Sequence, residues 1–175
     1  VSDRSVAAGA PGGEFLGFYD DALPHVYGYL VRRCGHPALA QDLTAETFLA
    51  AVTASRKDAA PAMTVPWVLG VARHKLVDHW RRRAREERNL RVLADTAPTA
   101  ADPWDAELDA VRARDTLERL AAQHQAALTL RYLDDLPVPD VAALLGRTVQ
   151  ATEALLVRAR AAFRRLYTDE ERCDA

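Results

Sequence analysis

DVAALLGRTVQATEALLVRARAAFRRL, Asp140 to Leu166, is the stretch that decides the fold. Its apolar residues follow helical spacing, not the alternation of a strand. Val141, Ala142 and Leu145 form the inward side of a short helix. Gly146 follows, and glycine adopts the left-handed backbone of a tight turn at low cost. The Thr148 hydroxyl is placed to cap a second helix. There Thr152, Leu156, Ala159, Phe163 and Leu166 recur at alternating spacings of four and three, so they share a buried face. The opposite side carries Gln150, Glu153, Ala154, Val157 and Ala161, flanked by Arg158, Arg160, Arg164 and Arg165. A short helix, a glycine turn and an amphipathic helix with a basic second half suit docking in a DNA major groove. A helical hairpin with solvated arginines has the same outline. Gly146 at the turn and four arginines without an acid between Val157 and Tyr167 favour DNA.

Outward from this motif the chain is also helical. Phe15, Phe18, Tyr19, Val26, Tyr27 and Leu30 mark a first apolar stripe, ending near Cys34-Gly35. Pro37 opens a second helix with Leu39, Leu43, Phe48 and Val52 inward. Pro61 and Pro66 break the stretch after Ala54 into a loop, and Pro66 suits the first turn of a long helix reaching about Asn89. In that helix Trp67, Val71, His74 or Lys75, Asp78 and Arg82 follow helical spacing. Val68, Val71, Ala72, Leu76 and His79 or Trp80 supply apolar contact surface. Arg73 to Arg88 holds seven Lys or Arg against three acids, a net of +4 in a chain whose formal charge is −2. This basic helix end is adequate to meet a phosphate backbone, or is merely solvated. Ala94 to Asp109 then holds Asp95, Asp102, Asp105, Glu107 and Asp109 and no base. Asp102-Pro103 reads as an N-cap with Pro at N1, and helices are expected over 103–122 and 123–134. The fold class is therefore all-α: two small helical domains joined by an acidic flexible linker, the second containing the helix-turn-helix.

Composition narrows the class of function. With 49% hydrophobic and 27% charged residues in 175, the chain is ordinary globular protein. No run of about 18 apolar residues calls for a membrane span, and VSDRSVAAGAPGGE lacks the order of a signal peptide. Cys34 and Cys173 have no metal-ligand spacing, so reduced thiols in the cytoplasm are expected. The pI near 6.2 argues against indiscriminate nucleic-acid binding. Two rival readings are a stand-alone helix-turn-helix regulator binding a palindrome as a dimer and a helical metalloenzyme built on His74, Asp78 and His79. The first does not need the basic long helix. The second lacks further ligands of suitable spacing. A purely structural helical adapter is a third.

Four stretches in order carry a resemblance: FYDDALPHVYGYLVRR, QDLTAETFLAAV, PWVLGVARHKLVDHWRRR, and the run from LTLRYLDDLPVPD through ALLVRARAAFRRL. They resemble bacterial RNA polymerase sigma factors of the extracytoplasmic-function (ECF) type, over Glu14 to Leu166. The resemblance implies a sigma factor that binds core RNA polymerase, recognises −10 and −35 promoter elements and assists promoter melting, with no enzyme activity, no metal and no cofactor. It implies a flexible lead at 1–13, a first domain at 14–92, a linker at 93–102, a second domain at 103–168 and an acidic tail at 169–175. Asp42, Leu43, Glu46, Thr47 and Phe48 match the segment that docks on the polymerase clamp helices. Asp42 and Glu46 share a helical face. Residues 55–65 resemble the loop that captures a flipped base, and the −10 set is Trp67, Arg73, His74, Lys75, Asp78, Arg81, Arg82 and Arg83. His74 stands where relatives often have asparagine, which changes the donor and acceptor set.

The −35 set is Arg147, Thr148, Gln150, Ala151, Glu153, Arg158, Arg160 and Arg164. Many relatives show Thr-Val-Lys-Ser-Arg-Leu where this chain has Ala151 to Leu156, so the −35 sequence is not transferable and phosphate contact shifts to Arg147, Arg158, Arg160 and Arg164. The acidic linker suits the polymerase's basic channel. The expected partners are core polymerase, promoter DNA and an anti-sigma factor or other regulatory protein, because the tail TDEERCDA is too short for a sensory extension. No membrane insertion is expected.

Overall fold

The computed structural model describes residues 13–56, 61–90 and 110–173, with side chains over 15–56, 61–89 and 110–168. The expected linker at 93–102, the helix start at 103–109, the lead at 1–12 and the side chains of the acidic tail lie outside the described residues. The described residues hold seven α-helices: α1 Gly13–Cys34, α2 Pro37–Ser55, α3 Val65–Leu90, α4 Ala110–Glu118, α5 Ala122–Leu128, α6 Val138–Leu145 and α7 Val149–Cys173. The all-α class read from the periodicity is the class observed. None of these helices is long and apolar enough to cross a membrane.

Two compact units divide inside α3, one ending at Leu76 and the other beginning at Val77. In the first, α1 buries Phe18, Ala22, Val26, Tyr29 and Leu30, a stripe at intervals of three and four. Pro24 sits within α1 without ending it. Gly35, at φ 68, closes the turn into α2, whose inward side is Ala40, Leu43, Thr44, Thr47, Phe48 and Ala51. Leu39 and Val52, expected inward, are half-buried. Two threonines fit this core because their hydroxyls donate back along the helix, Thr44 to Ala40 O and Thr47 to Leu43 O, each at 2.6 Å. The first half of α3 buries Val68, Ala72 and Leu76. Its start is fixed by Thr64, whose hydroxyl accepts from the Trp67 amide at 3.3 Å, with Pro66 in the first turn.

The second unit holds the rest of α3 with α4 to α7. Its core gathers Leu120, Ala127, Leu128, Leu155, Leu156, Ala159 and Phe163. The single helix expected over 103–122 ends earlier, at Glu118, and the chain turns through Leu120-Ala121 before α5. The helix expected over 123–134 also changes form: α5 passes at Thr129 into a π-helical turn, Thr129–Leu133, sealed by the Asp134 amide donating to Thr129 O at 3.0 Å. Asp135 then adopts φ 51, a conformation a short polar side chain tolerates. At the far end, Arg112 donates to Tyr167 O and lies over the Tyr167 ring at 4.2 Å, tying α4 to α7.

Candidate nucleic-acid and polymerase interfaces

The turn between α6 and α7 is built by local chemistry. Gly146 sits at φ 63, ψ 43. Its amide donates to Ala143 O at 3.2 Å, and the next amide, Arg147 N–H, donates to Ala142 O at 2.9 Å. These paired bonds close a helix C-terminus with a glycine in the left-handed region. Two residues on, the Thr148 hydroxyl accepts from the Ala151 amide at 3.2 Å, the N-cap expected from its position. Thr152, Leu155, Leu156, Ala159 and Phe163 face the core. Leu155 was not among the residues expected there. Gln150, Glu153, Ala154, Val157 and Arg158 are exposed on the other side.

Within the −35 set the structure separates three kinds of placement. Gln150, Glu153 and Arg158 are exposed along this face and have no side-chain partner among the described residues. Thr148 is occupied in capping, and Ala151 is half-buried. Arg147 donates to Gln123 Oε1 at 3.3 Å, and Arg160 to the Tyr132 hydroxyl at 3.1 Å, so both heads already have side-chain partners. Arg164 is half-buried.

On α3, His74, Asp78 and Arg82 are exposed at intervals of four. Lys75 pairs with Glu46 of α2 at 3.6 Å, and Trp67 and Arg73 are half-buried. Arg81 and Arg83 point elsewhere. Arg81 meets Asp78 at 3.7 Å and donates to Leu144 O at 2.6 Å, satisfying a carbonyl at the end of α6. A Cβ on Gly146 would stand 2.8 Å from Arg81 Nη2. Arg83 donates to Gln125 Oε1 at 3.1 Å, to Leu120 O at 3.2 Å and to Glu87 Oε1 at 3.1 Å. Glu87 in turn accepts from the Ala122 amide at 3.0 Å. Residue 121 is alanine, which cannot cap, so α5 takes its N-terminal acceptor from another helix. Sequence reading missed Glu87, Gln123 and Gln125, and only the Thr64 cap, two residues ahead of Pro66, left a local signal.

In the first unit, Asp42 is exposed and Glu46 half-exposed, one turn apart on α2. Leu43 and Thr47 are buried beneath them, with Thr47 fully enclosed. Phe48 is buried too, its ring 4.6 Å from that of Tyr19. It lines an apolar groove of about 450 Å³ between α1 and α2, with Tyr19, Leu23, Pro24, Tyr27 and Thr44. The structure thus brings two carboxylates and an apolar groove onto one helix pair.

Comparison with known proteins agrees with this layout. Residues 18–86 match Sigma-70 region 2, and residues 110–163 match Sigma-70 region 4. The ECF RNA polymerase sigma factor BldN of Streptomyces coelicolor is 32% identical over 164 residues, covering 88% of this chain and 60% of that protein. This chain thus spans less than two thirds of BldN's length. The ECF RNA polymerase sigma factor SigL of Mycobacterium tuberculosis H37Rv is 30% identical over 149 residues, covering 81% of this chain and 82% of SigL. The fold is that of the sigma factor RpoE of Bartonella quintana, solved in complex with the anti-sigma factor NepR, with a TM-score of 0.52 at 19% identity, covering 90% of this chain and 98% of that one. Two sigma regions in the right order and a relative 30% identical over 81% of this chain and 82% of its own length establish that the chain belongs to the ECF family of RNA polymerase sigma factors.

Proposed function

We propose that this sigma factor docks core RNA polymerase through α2 and divides promoter recognition between α3 and α7. The observation that carries the reading is the exposed face of α7. A capped helix behind a glycine turn presents Gln150, Glu153 and Arg158 together, while its other face is locked into the core. Such a helix enters a major groove with its N-terminal residues at base edges. Gln150 suits adenine, Glu153 accepts from a cytosine amine, and Arg158, Arg160 and Arg147 neutralise phosphates beside it.

The −10 element falls to the α3 stripe of His74, Asp78 and Arg82, with Arg73, Lys75 and Trp67 beside it. A single strand needs cationic and aromatic surface of this kind. Residues 14–92 form the docking and −10 domain, and residues 103–168 the −35 domain. Asp42 and Glu46 meet a basic surface on the clamp helices, and the Phe48 groove supplies apolar contact. Leu43 and Thr47 support that face from beneath. The sigma subunit contributes no bond-making step; polymerase does the chemistry. Its place is the cytoplasm, and an anti-sigma factor would compete for the same α2 face.

The test is in vitro transcription with core polymerase and start-site mapping, alongside Asp42→Arg with Glu46→Arg. The double variant is expected to fold and to lose core binding roughly tenfold or more, since two attractions become repulsions. Unchanged capture of core by the folded variant would remove α2 from the interface. Nanomolar binding of a palindrome by the free protein, with no transcription on adding core, would overturn the promoter reading.

A further inference from the structure

The second unit contains a cavity of about 490 Å³ with an unusual lining. Arg81, Arg85, Arg88 and Arg147 surround it, and no Asp or Glu lines it. Arg81, Arg85 and Arg88 recur at intervals of four and three, so they line the space from one face of α3. Arg147 and Gln123 line it as well, bonded to each other. Trp80, almost fully buried, lines the cavity together with Ala84, Ala126, Leu145 and Leu155. Arg81 is committed to Leu144 O. Arg85 and Arg88 are exposed and make no hydrogen bond or ion pair among the described residues.

Four like charges around one concavity repel each other, and the low-dielectric walls focus their field. An anion entering the space relieves that repulsion. Guanidinium forks match phosphate oxygens in pairs, which a point charge does not. The volume falls within the range of small-molecule sites, roughly 300–1,000 Å³. Arginines beside apolar wall residues suit a charged group joined to a flatter, less polar body.

We propose that this cavity binds a small polyphosphate, the pyrophosphate group either free or carried on a nucleotide. Arg85 and Arg88 are its principal ligands, and Arg147 closes on it from the α6–α7 turn. Arg147 is shared with the phosphate contacts proposed beside α7, whereas Arg85 and Arg88 belong to neither promoter set.

Isothermal titration calorimetry of the full chain with sodium pyrophosphate, and separately with ATP, tests it. One saturable site is expected. Arg85→Ala with Arg88→Ala should weaken it by roughly tenfold or more, because two charge-assisted contacts go. Gln123→Glu, nearly isosteric, sets a carboxylate in the cavity and should weaken binding comparably; circular dichroism checks that both variants fold. Arg32→Ala with Arg56→Ala removes the same charge from the first unit and should leave affinity unchanged. Tighter binding of ATP identifies the nucleotide as the carrier, and equal binding identifies the phosphate group alone; either supports the site. Absence of saturation with both ligands, equal loss in the two charge-matched variants, or full displacement by sulfate at matched ionic strength would overturn it. So would a result in which Arg85 and Arg88 affect only the binding of duplex DNA.

Discussion

Gly146 is the residue whose chemistry is least replaceable. It holds φ 63, where an L side chain is strained, and the place of its missing Cβ is taken by the Arg81 guanidinium. Gly146→Ala would force the backbone into an unfavourable region at a cost of about 1–2 kcal/mol. It would also push Arg81 from Leu144 O. Thermal unfolding should show a lower midpoint than wild type; an unchanged melt would mean that the turn relaxes without loss. Glu153 is the residue whose role is most specific. An acid at the exposed N-terminal part of α7 repels phosphates, so in the proposed −35 reading its use is to accept from a base amine. Glu153→Ala should relax preference at one −35 base pair by roughly 1–3 kcal/mol while leaving core binding intact. Transcription from a randomised −35 library reads this directly, and identical profiles would make Glu153 a solvated side chain.

At the scale of elements, what was legible in the sequence was what the chain encodes locally. The boundary at Gly146, the Thr148 cap and the buried face of α7 depend on residues within a few positions of each other, and the structure has all three. Helix periodicity likewise gave α1, α2 and α3. The break of the expected 103–122 helix was not legible, because it depends on Glu87, 35 positions from the Ala122 amide that it holds. The partners of Arg83 and Arg81 lie 42 and 63 positions away, at Gln125 and Leu144. A run of arginines reads as a uniform basic surface until tertiary structure sorts it. Here His74, Asp78 and Arg82 stay exposed, while Arg81 and Arg83 are spent on helix ends. The segment proposed to dock on the clamp helices divides in the same way: Asp42 and Glu46 outward, Leu43 and Thr47 inward. Spacing alone predicts a shared face but not which neighbours cover it.

At the scale of the molecule, the boundary between compact units cuts a continuous helix. The second half of α3 therefore works as structure for the second unit as well as carrying charge. Glu87→Ala should remove the side-chain acceptor that the Ala122 amide has at the start of α5, worth about 0.5–2 kcal/mol. Hydrogen exchange should speed up at the Ala122 amide and its neighbours, with exchange in the core of α7 much less affected. Equal protection in the variant would show that water replaces the carboxylate at no cost. The borrowed cap also has a consequence for the order of folding. A local cap forms as soon as its own few residues meet, whereas this one waits until a long loop has closed and α3 is already wound. The first turn of α5 is thus set to be a late event. A fragment starting at Ala110 would never complete it, however well its helix-turn-helix formed.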